Sequence, residues 1–106
     1  MRGGVMVVVA TVAHLVILDA HLDGRNVATV RKAINDTLEA ATGDVVVDMG
    51  ALQLIDAAGL GMLTAAHLRA ERAGHRLVLW NCSKELRRVL AVTRLNRVLR
   101  LDRGHH

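Results

Sequence analysis

Short runs of β-branched and aliphatic residues alternate along this chain with stretches whose apolar residues recur every three or four positions. That alternation limits the fold more than any other feature. Residues 5–11 are rich in Val and read as a buried strand, with residues 14–21 as a second strand and Val12-Ala13 as the tight connection between them. Asp23-Gly24 carries turn chemistry, and Asn26 is placed to cap a following helix. In that helix Val27, Val30, Ile34 and Leu38 share one face, with Arg31, Lys32, Asn35 and Asp36 on the other, and Gly43 suits its end. Residues 45–47, bounded by Asp44 and Asp48, have the pattern of a central strand covered on both faces. Residues 52–55 return the chain to the sheet edge. Asp56 stands at the cap of a second helix in which Leu60, Leu63, His67 and Ala70 share a face, and Gly74 ends it. Residues 76–81 form a further strand. Ser83 caps a third helix with Leu86, Val89 and Leu90 inward, and residues 95–101 supply a last short strand or extended segment.

The order β-β-α-β-α-β-α-β predicts an α/β layer fold with short loops. A length of 106 residues suits one domain, expected over residues 1–103, and the 52% apolar content provides its core. Gly104-His105-His106 resembles the start of a purification tag and enters no metal-site argument. Arg2 followed by residues 5–13 imitates a short signal peptide, with Thr11-Val12-Ala13 as a small-residue cleavage site. The Val-rich run reads as a buried strand instead, and His14 and Asp19 interrupt it before the roughly 18 residues that a membrane span needs. The expected compartment is the cytoplasm. Cys82 is the only cysteine, so no intrachain disulfide can form, and a lone thiol in apolar surroundings reads as a small core residue.

Charge is divided unevenly. Residues 1–66 carry four Lys/Arg against seven Asp/Glu, and residues 67–106 carry ten against three. The basic residues include Lys84, Arg87, Arg88, Arg94, Arg97, Arg100 and Arg103, which would suit phosphates if they formed a contiguous stripe. Single-strand binding usually adds aromatic stacking, and Trp80 is the one aromatic residue, expected in the core. A protein partner with an acidic face accounts for the same charges. Ser83 is the only serine and caps a helix, which leaves no Ser-His-Asp arrangement, and the histidines lack metal-ligand spacing. No enzyme chemistry is expected.

The segment with the most functional content runs from Val45 to Gly61, VVVDMGALQLIDAAGLG. It resembles the STAS domain, the module of bacterial anti-sigma factor antagonists and of sulfate-transporter tails. That family has an apolar strand ending in Asp, then Asp-Ser-Ser/Thr/Ala-Gly-Leu-Gly opening a helix. His21-Leu22-Asp23 stands where the family has Gly-x-Leu-Asp, with Ala20 in place of the Gly. Residues 74–79, GHRLVL, resemble its Gly-x-x-Leu-x-Leu strand, and Val89-Leu90 through Thr93-Arg94-Leu95 resemble its third helix and following leucine. The resemblance covers about residues 5–102. It implies a mixed, mostly parallel sheet with helices packed on it, no cofactor, and an anti-sigma factor, commonly a serine kinase, as partner. It also implies a contact surface of Asp23, Asn26, Asp56, Ala57, Ala58, Gly59 and Met62, in the 23–26 loop, the 56–59 loop and the second helix.

In the family the kinase phosphorylates a Ser or Thr in this loop and the complex dissociates. Here both positions are alanine, Ala57 and Ala58, which cannot accept a phosphoryl group. Thr64, two turns further on, is too distant to inherit that role. A permanent antagonist, one controlled by another ligand, and a module of a transporter or scaffold remain as alternatives. Several of these residues also have simpler structural roles. Asp56 caps a helix, Asp23 is a turn residue beside Gly24, and Met49 and Met62 can fill core gaps. Gly59 and Gly61 point to close approach on the first turn of the second helix, by a partner or by the sheet itself.

Overall fold

The computed structural model describes residues 14–102 and the backbone of residues 5–9. The elements are β1 (Val5–Val9), β2 (His14–Leu18), β3 (His21–Leu22), α1 (Val27–Ala40), β4 (Val45–Asp48), β5 (Leu54–Ile55), α2 (Ala57–Arg72), β6 (Leu77–Trp80), α3 (Lys84–Val92) and β7 (Arg100–Asp102), with a 3-10 turn at Leu95–Arg97. The expected Val12-Ala13 connection lies outside the described residues.

Five strands make one sheet in the order β1-β2-β4-β6-β7. The β1–β2 pair is antiparallel and every other pairing is parallel, which is the mixed, mostly parallel α/β sheet expected. A separate two-stranded parallel sheet joins β3 to β5, pairing His21 with Leu54 and Leu22 with Ile55. Two expectations change here. The second strand stops at Leu18, because the chain leaves the main sheet at Asp19-Ala20 and pairs again elsewhere. Residues 54–55 join β3, not the edge of the main sheet.

The period-two pattern explains which face the helices cover. Along β2, His14, Val16 and Leu18 are buried while Leu15 and Ile17 are half-buried; along β6, Leu77 and Leu79 are buried while Val78 and Trp80 are half-buried. Val45, Val46 and Val47 are all buried, as a central strand requires. The core cluster joins Val16, Leu18, Val45, Val47, Leu77 and Leu79 of the sheet to Val30, Ile34 and Leu38 of α1, Met62, Leu63, Ala66 and Ala70 of α2, and Leu86 and Leu90 of α3. Each fully buried Leu, Ile or Val contributes about 1.5–3 kcal/mol relative to exposure. Cys82 is half-buried and packs against this cluster.

Four further expectations change at the helix ends and along α3 and β6. Asn26 precedes α1 but makes no side-chain cap bond, because its amide is used within the preceding turn. α1 ends at Ala40, so Gly43 lies beyond it; Gly74 does end α2, at φ +80°, the left-handed region that suits glycine. Val89 is exposed, whereas Leu86 and Leu90, four residues apart on one side of α3, are buried. Ser83 caps α3 as expected, its Oγ accepting from the Leu86 N–H at 3.0 Å. Trp80 closes β6 half-buried and is not a core residue. Arg94 ends the turn after α3 at φ 64°, and residues 95–101 divide into the 3-10 turn and the edge strand β7.

Candidate functional site

The two-stranded sheet brings the start of α1 beside the start of α2. Asp23 and Asn26 fix the first of these. The Asp23 N–H donates to Asn26 Oδ1 at 3.0 Å, Asn26 Nδ2 donates to the His21 carbonyl at 2.8 Å, and the Val27 N–H donates to the Asp23 carbonyl at 2.8 Å. Asp23 and Asn26 are each only 8% exposed, so both side chains are structural. The Asp23 carboxylate accepts from the Arg25 N–H at 3.0 Å and forms an ion pair with the Arg25 guanidinium at 2.8 Å. That pairing holds the Asp23 carboxyl below its ordinary value.

Asp56 caps α2 and also reaches across to the other loop. Its Oδ1 accepts from the Gly59 N–H at 2.9 Å, and its Oδ2 accepts from the Gly24 N–H at 3.2 Å. One carboxylate therefore satisfies an unpaired helix-start donor and ties the 23–26 loop to it. The helix dipole favours a negative group at this place.

Gly59 is required by internal packing. A Cβ there would stand 2.4 Å from the Leu22 carbonyl oxygen and 2.9 Å from Ile55 Cγ1, so the first turn of α2 rests directly on β3 and β5. The close approach expected from the glycine pair comes from the sheet at Gly59. At Gly61 a Cβ would meet nothing within 4 Å.

The seven expected contact residues thus separate. Asp56, Ala57 and Ala58 are exposed beside one another. Asp23, Asn26 and Gly59 are buried beneath them as supports. Met62 is 5% exposed and belongs to the core, one turn inward from the surface, which removes it from the contact set. Met49 is likewise buried. Gly24 and Arg25, missing from that set, are exposed on the same surface. The Asp-Gly turn signal placed them in a loop, but only the bond to Asp56 puts them beside α2. Thr64 is half-buried, and its Oγ1 donates to the Leu60 carbonyl at 3.0 Å, back along its own helix.

A second feature borders the surface. Leu54, 54% exposed, and Val89 face a groove of about 160 Å³ between β5 and α3, next in sequence to Asp56. At the end of β4, Asp48 Oδ1 accepts from the Gly50 N–H at 2.9 Å and from Asn81 Nδ2 at 3.1 Å, so this carboxylate braces a turn and stands in no pair with Asp56. Among the described residues no group of His, Cys, Asp and Glu is placed to hold a metal ion, and no helix is long and apolar enough to cross a membrane.

The STAS domain family model matches residues 5–106. The fold superposes on an anti-sigma factor antagonist from Mycobacterium paratuberculosis with a TM-score of 0.83 at 17% identity, covering 94% of this chain and 85% of that one. Against the anti-sigma factor antagonist SpoIIAA in its unphosphorylated form the TM-score is 0.74 at 18% identity, over 95% of this chain and 89% of that one. The murine anion transporter Slc26a9 also contains a similar fold, with a TM-score of 0.68 at 18% identity, over 76% of this chain and 13% of the transporter. No curated protein matches the sequence.

Proposed function

The chain belongs to the STAS domain family, and from that premise we propose that it is a cytoplasmic, non-enzymatic anti-sigma factor antagonist that works without a phosphate switch. It binds an anti-sigma factor and so frees a sigma factor for transcription. The observation that carries this reading is the pair of hydrogen bonds that the Asp56 carboxylate accepts from Gly24 and Gly59, which ties the 23–26 loop to the exposed start of α2. Pre-organised surfaces lose less entropy on binding. Ala57 and Ala58 are exposed and present only methyl groups, and Arg25 in the 23–26 loop and Leu54 in β5 are exposed as well.

In a relative with a hydroxyl here, a phosphate at the helix start would place a charge near −2 in the interface and expel the partner. With alanine at both positions that charge cannot be added. Control then rests on the amount of protein or on a ligand elsewhere.

Calorimetric titration against the purified anti-sigma factors of the source organism tests the proposal. One of them should bind, and Ala57→Arg and Arg25→Glu should each weaken that binding by about tenfold or more. Binding to none of them would overturn it. The likeness to a domain of Slc26a9 favours one alternative, a regulatory STAS module of a transporter. Co-purification with a transporter through the same surface, and with no anti-sigma factor, would establish that instead.

A further inference from the structure

Lys84, Arg87 and Arg88 on α3, and Arg94 and Arg97 in the turn after it, are exposed, and none of them is in an ion pair among the described residues. The pairs fall elsewhere: Asp23, Asp36, Asp44 and Glu71 hold Arg25, Lys32, Arg76 and Arg100 respectively. Burial of Leu86 and Leu90 fixes which side of α3 faces inward. Lys84, Arg88 and Val92, at successive i, i+4 positions, then make one outward ridge, and Arg87 and Ala91 make the ridge beside it. Glu85, the one carboxylate between residues 84 and 97, lines the groove beside β5 with Val89, off these ridges. We propose that the outer side of α3 docks an acidic segment of a partner protein, one that also carries apolar side chains. None of these residues belongs to the Asp56 surface.

Arg94 points to contact. It adopts φ 64° at the end of α3, a left-handed position where glycine is usual and a side chain is strained. A large cation kept there destabilises the fold relative to glycine, which fits a residue retained for what it binds. Its backbone is held in place: the Arg94 N–H donates to the Ala91 carbonyl at 3.1 Å, and the Arg94 carbonyl accepts from the Arg97 N–H at 3.2 Å. Val92, between Arg88 and Arg94 in sequence, is 78% exposed, so the charges surround an apolar group that nothing in the fold covers.

The side chains select the kind of partner. All of these cations but Lys84 are arginine, whose guanidinium donates to both oxygens of a carboxylate and which is enriched over lysine at protein interfaces. A nucleic acid supplies negative charge, but its phosphates offer nothing to an exposed valine, and no aromatic residue stands between residues 84 and 102 to stack on its bases. A lipid surface attracts lysine and arginine alike and is entered by Trp, Phe or Leu, which the outward ridges lack. An acidic segment with apolar side chains satisfies the arginines and Val92 together.

A fluorescein-labelled peptide, Asp-Glu-Leu-Glu-Glu-Leu-Leu-Glu-Asp-Leu, is a suitable probe, with a matched peptide carrying serine for each leucine. By fluorescence anisotropy the first should bind with micromolar affinity, weakening about tenfold between about 50 and 300 mM salt. The serine peptide should bind at least about fivefold more weakly. Arg88→Glu should weaken the leucine peptide about tenfold and Val92→Ser about threefold, both being changes at exposed positions. Arg94→Gly separates contact from a structural role: it should raise the melting temperature and still weaken the peptide at least about threefold. Absent binding, equal affinity for the serine peptide, or affinity untouched by Arg88→Glu or Arg94→Gly would overturn the proposal. Tighter binding of a DNA duplex or of phosphatidylglycerol vesicles, or a dimer dissociated by Arg88→Glu, would overturn it too, giving the face to a nucleic acid, a membrane or a second copy. The wild-type titrations decide the matter even where a variant fails to fold.

Discussion

Gly59 and the Leu22 carbonyl oxygen are so close that a Cβ on Gly59 would stand 2.4 Å away, well inside any real contact. The start of α2 is thereby seated on main chain that cannot yield as a side chain would. Gly59→Ala is therefore expected to lose about 1–3 kcal/mol through overpacking, despite the better helix propensity of alanine. Gly61→Ala is the control. It gains propensity with open space around the new Cβ, and should stabilise by about 1 kcal/mol. Urea denaturation of the two variants should move in opposite directions. Equal effects would mean that the contact at Gly59 is relieved by a shift of β3.

Asp56 performs two separable tasks, and one substitution distinguishes them. Asparagine is as good a helix cap as aspartate, so Asp56→Asn can keep one carbonyl oxygen on the Gly59 N–H. Its amide nitrogen cannot accept from the Gly24 N–H. Stability should change by less than about 1 kcal/mol, whereas Asp56→Ala should cost about 0.5–2 kcal/mol. Both variants should lose partner affinity if the tie to Gly24 organises the surface. Amide hydrogen exchange at Gly24 offers a direct check, and it should quicken in Asp56→Asn.

The Asp23–Arg25 pair gives a pH dependence with a definite sign. Arg25 depresses the folded-state value of the Asp23 carboxyl below the 3.8 of an unperturbed side chain. A depressed carboxyl contributes stability that is present above the unfolded value and is lost as pH falls through the folded one. The difference in melting temperature between wild type and Arg25→Gln should be constant above about pH 5 and vanish at lower pH, below both values. Because the Arg25 side chain is 67% exposed, the difference should also shrink in high salt. A difference that grew on acidification would reverse this assignment.

The helices and their order were legible because apolar spacing is local. Val30, Ile34 and Leu38 declare α1, and Asp56 and Ser83 declare the starts of α2 and α3, within a few residues of sequence. The departure of the chain from the main sheet at Asp19-Ala20 has no such sign. Residues 14–22 keep the look of one strand, and the change of partner from β4 to β5 is decided by long-range pairing. Asn26 shows the same limit. It is a good capping residue by type, but the nearby His21 carbonyl and Asp23 N–H claim its amide first. Asp56, Ala57 and Ala58 stand together at the start of α2 by sequence alone, while the placing of the 23–26 loop beside them needed a hydrogen bond spanning 32 residues. Val89 stands one position from the buried Leu90, and on a helix that is enough to exchange core for surface.

Cys82 should be nearly inert. Burial pushes its thiol up to about 11, only partly opposed by the nearby Arg87 charge. Relative to the unperturbed 9.0, the thiolate fraction at neutral pH falls by roughly a hundredfold. Alkylation by iodoacetamide should be slower than that of a cysteine in a short peptide by about that factor, and should recover fully in denaturant. Fast alkylation of the folded protein would instead mark Cys82 as accessible and activated.

Ala57→Ser and Ala58→Ser ask whether the phosphate switch can be restored by one oxygen atom. Both positions are exposed at the start of α2, where unpaired N–H groups and the helix dipole favour an added anion. A phosphate there should leave the melting temperature unchanged or slightly raised, since the fold around Asp56 does not depend on either methyl group. The cognate kinase, if the anti-sigma factor is one, should phosphorylate at least one variant, visible as an 80 Da mass increase, about the mass of the added phosphoryl group. The modified variant should then bind that anti-sigma factor at least about tenfold more weakly. Phosphorylation without loss of binding would show that the centre of the interface lies away from Ala57 and Ala58. Binding without phosphorylation of either variant would show that the surface docks on the partner out of reach of its nucleotide, so that the two alanines are a consequence of a changed docking geometry and not its cause.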